Sequence, residues 1–424
     1  MNQAIALGYE GAARLARALA VVAPASEHKL VATFAARRGV VARFAAFRRD
    51  ASRPLLWMHA PSVGEGLQAR PVLELARAKS PDTQLAYTYF SPSARAFARA
   101  LDVDFRDVLP FDTKADMRAA LAALAPTALV FSKLDVWPTL AREASRRGTR
   151  LGIVSATLAA ASSRRSGLAG ALLRDAYSRL DRVGAISTED ADRLVAMGVP
   201  SRCVAVTGDT RYDQVWARAD RVDRASALLA PLRGERPTVV AGSTWPADEA
   251  VLLPAWARVA ARSPRARLIV APHEPTPAHL APIESWAAST GLRAARLGTS
   301  AATDADVVVV DRVGVLGDLY ALADIAYVGG GFHAAGLHSV LEPAAFGAPV
   351  LFGPRHHGTR DARLLIDADG ACSVHDADAL RGALERWLGA PTERVAAGAA
   401  ARAVVHHGLG AAERSYALVA ELMK

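Results

Sequence analysis

The hydrophobic pattern beyond residue 50 alternates between short apolar runs and longer stretches with helical spacing of Ala, Leu and Arg. Each run is partly rich in β-branched residues and is closed by Gly, Pro, Ser or Asp, which is typical of strands buried on both faces of a parallel sheet. Strand–helix alternation predicts an α/β fold with right-handed crossovers. The predicted strands are residues 55–60, 84–90, 128–136, 151–156, 182–187 and 203–208, and then 238–243, 267–272, 306–311, 325–331, 349–354 and 372–375.

Six runs, a charged break near residues 218–236 and six further runs predict two doubly wound domains. In such folds ligands bind beyond the carboxyl ends of the strands, so two domains facing each other would place a site in the cleft between them. We divide the chain into a helical segment (1–50), a first domain (51–217), a second domain (218–405) and a C-terminal helix (406–424) that we expect to pack back on the first domain.

Residues 1–50 have a different pattern. Their apolar residues recur mostly every three or four positions, as in amphipathic helices. The segment holds eight Lys or Arg and three acids, and therefore five of the nine net positive charges of the chain. One interpretation is a basic helical segment lying on an anionic membrane. The alternative is a helix packed on the protein's own core with a solvated basic face.

Composition narrows the classes of protein. Hydrophobic residues make up 51% and charged residues 22% of the 424 residues, which is typical of a chain with a large core. Two distant cysteines exclude a disulfide scaffold and a zinc site built from paired cysteines. We find no run long enough for a transmembrane helix, no Walker A motif and no dinucleotide fingerprint. Aromatic and basic residues do not interleave as in a base-stacking surface, which argues against nucleic acid as a partner.

The first motif that could carry chemistry is HAPSVGEG, residues 59–66. It follows the first strand, and Gly64 and Gly66 permit a tight turn with close backbone approach before a helical run that starts near residue 67. Glu65 would then lie where a carboxylate can act on a bound hydroxyl as a general base. The alternative is a helix-start acid that complements the helix dipole.

Two further motifs follow predicted strands of the first half. Ser91 and Ser93 either cap a helix or hold an anion. Lys133 and Asp135 either orient a substrate phosphate, support Glu65, or form a structural salt bridge.

Four motifs favour an anionic ligand in or near the second half. Arg211 either binds phosphate through its planar guanidinium or pairs with Asp213. Ser243 and Thr244 form a strand-to-helix junction of the kind that makes an anion-binding nest. His273, after the next strand, could contact a base or a phosphate.

The longest motif runs GGGF, residues 329–332, and then GLHSVLEPAAFG, residues 336–347. Gly330 and Gly331 indicate close backbone approach after a strand. The spacing predicts a helix whose first turn begins near Ser339, with Glu342 completing a capping box and backbone amides free to receive a phosphate or carboxylate.

In this order and spacing, these motifs resemble the 3-deoxy-D-manno-octulosonic acid (Kdo) transferases of lipopolysaccharide synthesis, which are inverting glycosyltransferases of GT-B architecture. The resemblance covers nearly the whole chain. It implies Glu65 as the general base, the first domain as acceptor domain, the second as CMP-Kdo domain, a lipid A precursor as acceptor, and no metal or other cofactor. It also implies association with the cytoplasmic face of the inner membrane. The acceptor or supporting residues would be Ser62, Gly64, Ser91, Ser93, Lys133 and Asp135. The donor residues would be Arg211, Ser243, Thr244, His273, Leu316, Gly317, Asp318, Gly330, Gly331, His338, Ser339 and Glu342.

The chain departs from the family pattern in places. Lys133 and Asp135 stand where many members carry two glutamates, Asp318 stands for a longer acid, and Ser339 stands for an Asn after His338. Another GT-B enzyme with a UDP-sugar donor, or a nucleotide-sugar epimerase of the same fold, is the alternative enzyme. A non-enzymatic binder of membranes or nucleic acid is the alternative from a different class.

Overall fold

The computed structural model describes residues 3–22, 29–159, 162, 164, 167–263 and 265–424. The predicted N-terminal segment at residues 1–2 and 23–28 lies outside this part. The chain forms two compact units, one of Met1–Gln214 with Leu409–Lys424 and one of Val215–Gly408. The division at Gln214 falls before the expected one at residue 217, inside a single helix.

The first unit holds a seven-stranded parallel sheet in the order β3-β2-β1-β4-β5-β6-β7. Its strands are β1 (Leu55–His59), β2 (Gln84–Tyr89), β3 (Phe105–Val108), β4 (Ala128–Ser132), β5 (Arg150–Ala156), β6 (Arg182–Ala185) and β7 (Val204–Val206). Its helices are α1 (Gln3–Val22), α2 (Lys29–Ala35), α3 (Val40–Ala45), α4 (Val63–Lys79), α5 (Arg95–Arg99), α6 (Lys114–Leu124), α7 (Pro138–Arg146), α8 (Gly167–Tyr177), α9 (Thr188–Ala196) and the first turn of α10 (Arg211–Arg221).

The second unit holds another seven-stranded parallel sheet, in the order β10-β11-β9-β8-β12-β13-β14. Its strands are β8 (Thr238–Thr244), β9 (Arg267–Pro272), β10 (Ala294–Arg296), β11 (Val307–Val309), β12 (Ile325–Val328), β13 (Val350–Phe352) and β14 (Ala371–Ser373). Its helices after α10 are α11 (Pro246–Arg262), α12 (Pro277–Ser289), α13 (Leu316–Leu319), α14 (Leu341–Ala345), α15 (Arg360–Asp367), α16 (Ala377–Gly389) and α17 (Pro391–His407).

Each sheet is buried between its own helices, as the apolar runs predict. Trp57 and Phe131 are fully buried in the first unit, and Trp256 and Tyr327 in the second. The last helix, α18 (Ala411–Leu422), returns to the first unit and packs on α4, β5 and β6. This contact buries Leu422, which lies against β5 at Gly152.

The N-terminal helices divide into two kinds. Helix α3 belongs to the core, because Phe44 is fully buried and makes edge contacts with Trp57 and Phe105. Helix α1 instead exposes Leu7 and Leu15, with 72% and 63% of their surface open to solvent. No helix in the described ranges is long and apolar enough to cross a membrane.

Candidate functional site

Glu65 lies in the first turn of α4, directly after the carboxyl end of β1. The helix begins at Val63 rather than near residue 67, so Gly64 and Gly66 lie within the helix and not in a turn before it. Ser62 caps this helix, since its hydroxyl accepts a hydrogen bond from the Gly64 amide at 3.2 Å. The same hydroxyl donates to Glu65 Oε2. The cap therefore fixes both the helix start and one carboxylate oxygen of Glu65.

The second oxygen of Glu65 is held by a cation. Lys133 Nζ lies 3.2 Å from Glu65 Oε1, and Ser132 Oγ donates to the Glu65 carbonyl at 2.9 Å. Burial alone raises the pKa of Glu65, but the Ser62 hydroxyl and the Lys133 charge outweigh it and lower the pKa below its ordinary value. With 17% of its side chain exposed, Glu65 is an ionised carboxylate open to a ligand on one side.

Lys133 reaches Glu65 from an unusual backbone conformation. It follows β4 with φ of 69°, in the left-handed region, and its amide donates to the Val154 carbonyl at 2.9 Å. Of the partners left open by the sequence, Lys133 forms an ion pair with Glu65. Asp135 does not join it, because it pairs with Arg164 Nη2 at 2.6 Å.

A buried aromatic and imidazole layer lies at the end of β1. Trp137 Nε1 donates to His59 Nε2 at 2.9 Å, so the ring proton of His59 is on Nδ1, which lies 2.9 Å from Thr88 Oγ1. Burial lowers the pKa of His59 to about 3, with the Arg37 charge adding to the effect. His59 is therefore a neutral structural group. The sequence does not indicate this role of His59, since no spacing marks a His at the end of a strand as buried.

The residue after Glu65 is in close contact with α5 and β2. A Cβ on Gly66 would lie 2.5 Å from Phe97 Cε1 and 2.7 Å from the Tyr87 hydroxyl. The glycine thus allows the first turn of α4 to approach these two side chains. Ser91 and Ser93 bond to each other at 2.8 Å between hydroxyl oxygens, and Ser91 makes no side-chain cap.

Arg211 begins α10 and is held by an acid. Its Nη2 lies 2.7 Å from Asp209 Oδ2, and Gln68 Nε2 of α4 donates to the other oxygen of Asp209 at 3.1 Å. Asp209 is buried, which raises its pKa, but the Arg211 charge and hydrogen bonds lower it to a net value below the ordinary one. Asp213 accepts from the amides of Gly410 and Ala412.

The glycine-rich loop of the second unit surrounds a buried carboxylate. Asp248 of α11 accepts from the amides of Gly330 at 2.7 Å, Phe332 at 3.1 Å and Trp245 at 2.9 Å. Gly330 has φ of 90°, and a Cβ on Gly331 would overlap the Gly353 backbone. The amides of Gly330 and Phe332 are therefore occupied by a carboxylate of the protein itself.

Histidines and one tryptophan stack beside this loop. The Trp245 ring lies between His273, with ring centroids 4.5 Å apart, and His333, 4.2 Å away. Trp245 Nε1 donates to His338 Nε2 at 3.1 Å, and burial lowers the pKa of His338, so this ring is neutral. The sequence indicated His273 and His338, but Trp245 and His333 were missed because stacking depends on the fold.

Ser243 and Thr244 end β8 at the same edge of the sheet. Ser243 has φ of 55°, and Thr244 Oγ1 donates to Glu249 Oε1 at 2.8 Å. Thr244 is therefore engaged within the protein, whereas Ser243 is half-buried at the strand-to-helix junction.

A second charged group in this unit contains the predicted residues of α13. Arg218 Nε donates to Asp318 Oδ1 at 3.1 Å and lies against Gly317. Burial raises the pKa of Glu342, and the Arg218 charge partly offsets this. Leu316 lies against Gly242, next to the Tyr320 hydroxyl.

The helix predicted near Ser339 forms, but it begins two residues later, at Leu341, and without the predicted cap. Helix α14 begins at Leu341 and spans five residues, its N-cap is Val340, and no side-chain cap forms. Ser339 is exposed ahead of it. The reason is that the loop from residue 329 is anchored at Asp248 and by the His338 amide, which donates to the Gly329 carbonyl at 3.1 Å.

The chain is similar to known proteins of one family. The family model described as 3-deoxy-D-manno-octulosonic-acid transferase (kdotransferase) matches residues 34–214. The 3-deoxy-D-manno-octulosonic acid transferase of Bordetella pertussis is 32% identical over 390 residues, which cover 88% of this chain and 89% of that protein. This chain belongs to the Kdo transferase family. The Haemophilus influenzae transferase is 26% identical over 365 residues, covering 85% of each chain.

Solved structures agree on the fold. The UDP-GlcNAc 2-epimerase of Neisseria meningitidis aligns with a TM-score of 0.64 at 12% identity, over 87% of this chain and 99% of its own. A glycosyltransferase from Rickettsia africae aligns with a TM-score of 0.59 at 12% identity, over 88% and 99% of the chains. At such identity the likeness concerns the fold alone. The fold is GT-B, with two Rossmann-like units. Because the chain belongs to the Kdo transferase family, it is a glycosyltransferase.

The family match spans Glu65, Lys133 and Arg211 but not the second unit. Of the predicted acceptor-side residues, Ser62, Gly64, Lys133 and Glu65 come together, while Asp135 and the pair of serines do not contact Glu65. Within the described ranges, no group of three or more His, Cys, Asp or Glu residues is arranged to hold a metal ion.

Proposed function

We propose that this glycosyltransferase transfers Kdo from CMP-Kdo to a hydroxyl group of a lipid A precursor, with inversion and release of CMP. Membership of the Kdo transferase family supports Kdo as the transferred sugar. The observation that carries the mechanism is the ionised Glu65 carboxylate, which the Ser62 hydroxyl and the Lys133 ammonium fix at the carboxyl end of β1. A fixed, ionised carboxylate is the group that a hydroxyl nucleophile requires as a base.

The reaction is a single displacement. The acceptor oxygen forms a bond to the anomeric carbon of Kdo while its proton passes to Glu65. The bond from that carbon to the CMP phosphate oxygen breaks, and its electron pair leaves with CMP. Because attack and departure occur on opposite faces of the sugar, one step inverts the anomeric centre, with an oxocarbenium-like transition state.

The donor is assigned to the second unit. Ser243, His273 and His338 surround Trp245 at the carboxyl ends of β8, β9 and β12, the edge at which ligands bind in such sheets. Because the amides of Gly330 and Phe332 already donate to Asp248, the nucleotide phosphate is expected to contact side chains and the junction at Ser243. Metal independence stays a prediction, which turnover in the presence of a chelator will check.

Membrane association is proposed for α1. Three polar contacts hold one face of this helix: Tyr9 hydroxyl to Asp112 at 2.8 Å, Glu10 to the Lys114 amide, and Arg17 to Asp116 at 3.1 Å. The opposite face exposes leucines at positions 7, 15 and 19. An apolar helix face flanked by arginines suits the boundary of an anionic bilayer that holds a lipid acceptor. The cytoplasmic face of the inner membrane is the side on which a nucleotide sugar is available.

The test is incubation with CMP-Kdo and a tetraacylated lipid A precursor, followed by mass analysis of the product. Glu65→Gln is expected to lower turnover by about 10²- to 10⁴-fold, while its thermal unfolding remains that of the wild type. Glu74→Gln, an exposed change in the same helix, is the control. Turnover of a UDP-sugar with no Kdo transfer would refute the proposal, and so would full activity of Glu65→Gln.

A further inference from the structure

The first unit contains a pocket lined by arginines that the proposed reaction does not use. Its volume is about 460 Å³, and five arginines line it with Tyr89 and a single acid, Asp107. The arginines come from four places in the chain: Arg38 before α3, Arg43 in α3, Arg95 and Arg99 in α5, and Arg106 in β3. Pockets of this size bind small ligands or the head of a larger one.

The positive charge of this pocket is not neutralised by the protein. Asp107 is engaged with Arg43, whose Nε and Nη2 lie 2.6 and 2.9 Å from its two oxygens. Arg106 donates only to backbone carbonyls, at 2.8 and 3.0 Å. Within the described part of the chain, the guanidinium groups of Arg95 and Arg99 have no hydrogen-bond or ion-pair partner. Four of the five charges are thus unbalanced.

A sixth cation lies close to the same acid. Arg37 is 3% exposed, stacks on the Phe90 ring at 4.1 Å, and has an Nε atom without a partner. Burial lowers its pKa to about 10, whereas Tyr89 and Asp107 act in the opposite direction. The guanidinium remains charged at neutral pH. Arg37 donates to the Thr33 and Phe90 carbonyls at 2.7 and 3.1 Å, which holds it in place. Mutual repulsion among the like charges still opposes folding, and a bound anion would relieve that repulsion.

The chemistry of the pocket selects phosphate. Guanidinium groups bind phosphate oxygens through paired N–H donors, and several of them around one concave site suit a dianion. The location of the pocket further restricts which phosphate-bearing ligand it can bind. Arg38 Nε donates to the Ala20 carbonyl at 3.2 Å, so the pocket adjoins the C-terminal part of α1, whose outer face exposes Leu15 and Leu19. On the other side, α5 also carries Phe97, which lies against the turn of Glu65 at Gly66.

We propose that this pocket binds a phosphate group on the sugar of the lipid acceptor. The identity of the acceptor rests on the proposed function, whereas the phosphate chemistry rests on the arginines. A phosphate held here, beside the apolar face of α1 and behind α5, would fix the glycolipid head while its acyl chains stay with the membrane. The acceptor hydroxyl would then be presented to Glu65 by a ligand anchored at two points.

The experiment compares binding and turnover in the full-length chain. Calorimetry measures the affinity for the water-soluble, deacylated glucosamine disaccharide carrying two phosphates, and for the same disaccharide after phosphatase treatment. The test variant is Arg95→Gln with Arg99→Gln. The matched control is Arg150→Gln with Arg202→Gln, which removes the same charge from exposed positions of the same unit. A third variant, Arg95→Lys with Arg99→Lys, keeps the charge but removes the planar guanidinium groups. Thermal unfolding is measured for every variant.

The expected result is that the wild type prefers the phosphorylated disaccharide and that the Gln variant binds it about tenfold more weakly or worse. The control should bind like the wild type, the Lys variant should be intermediate, and the Gln variant should raise KM for the lipid acceptor but not for CMP-Kdo. Equal affinity for both disaccharides, or an unchanged Gln variant, would overturn the proposal.

Two further outcomes are informative. One distinguishes the acceptor phosphate from a phospholipid headgroup, and the other distinguishes failure of the proposed function from failure of the phosphate site. If the Gln variant loses binding to phosphatidylglycerol vesicles but keeps its affinity for the disaccharide, the ligand is a phospholipid headgroup and the acceptor assignment is overturned. If the wild type binds the phosphorylated disaccharide through these arginines but transfers no Kdo, the proposed function fails and the phosphate site stands.

Discussion

The ion pair between Lys133 and Glu65 makes a quantitative prediction about the pH dependence of the reaction. Lys133→Met removes the charge and keeps the length of the side chain. At the observed separation of 3.2 Å, two unit charges attract by about 1.3 kcal/mol in water and by about 5 kcal/mol at an effective dielectric constant of 20. With 42% of the Lys133 side chain exposed, solvent screening favours the lower end, about 1 kcal/mol.

This free energy stabilises the carboxylate form of Glu65. Its loss raises the pKa of Glu65, and about 1 kcal/mol corresponds to a roughly fivefold change in the ionisation equilibrium. The base is active only when ionised, so activity is present above its pKa and is lost as the pH falls through it. The acidic limb of kcat/KM is therefore expected to move to higher pH in Lys133→Met, by about 0.5 to 1 unit.

The assay is the initial rate of Kdo transfer across about pH 4 to 8, where the limb of kcat/KM reports the free enzyme. The carboxyl ¹³C shift of Glu65, assigned by difference from Glu65→Gln, gives the pKa independently. Lys133→Arg should return the limb to its wild-type position because the charge is kept. Lys79→Met, which breaks the exposed pair with Glu413 at 2.6 Å, is the control. A limb that does not move in Lys133→Met would refute the assignment of Lys133 as the group that keeps Glu65 ionised.

Three other changes test the remaining parts of the site. Asp248→Ala leaves the buried amides of the glycine-rich loop unpaired and is expected to lower the free energy of unfolding by about 3 kcal/mol or more, measured by urea denaturation, with weaker CMP binding. Gly66→Ala forces a Cβ into two aromatic side chains; we expect a loss of about 1 to 3 kcal/mol by the same method and slower transfer, and wild-type values would show that the turn yields freely. Leu15→Glu with Leu19→Glu should reduce sedimentation with phosphatidylglycerol vesicles at unchanged melting temperature, whereas Val313→Glu, another exposed apolar position, should not; equal sedimentation would exclude α1 as the membrane contact.

The sequence by itself determined the two parallel sheets. Twelve of the apolar runs correspond to strands, because a strand buried on both faces must be apolar at successive positions. The two strands it missed, β3 and β10, each lie at one of the two edges of their sheets. Their sequences FRDV and AAR place charged residues in a strand, since an edge strand is only partly covered and its outward side chains stay in solvent.

Local sequence also marked the candidate base. Glu65 follows a buried strand and precedes a helix, and both features are readable along the chain. The sequence leaves its partner open, because Lys133 and Asp135 both lie within three residues of the end of β4. Only the left-handed backbone at Lys133 turns the ammonium toward Glu65, while Asp135 meets Arg164 from a distant loop.

What the tertiary structure alone decided is where the positive charge acts. The sequence places five of the nine net positive charges in the first 50 residues, and it leaves open whether that segment lies on a membrane or packs on the protein's own core. In the folded chain Arg37 is buried against Phe90 and Arg43 pairs with Asp107, while Arg95 and Arg99 join them from a segment some fifty residues later. Helical spacing fixes which residues share a face, but it does not fix which segments meet. Contacts between distant segments therefore bring these arginines together in one pocket. Such contacts cannot be predicted from the pattern of residues along the chain.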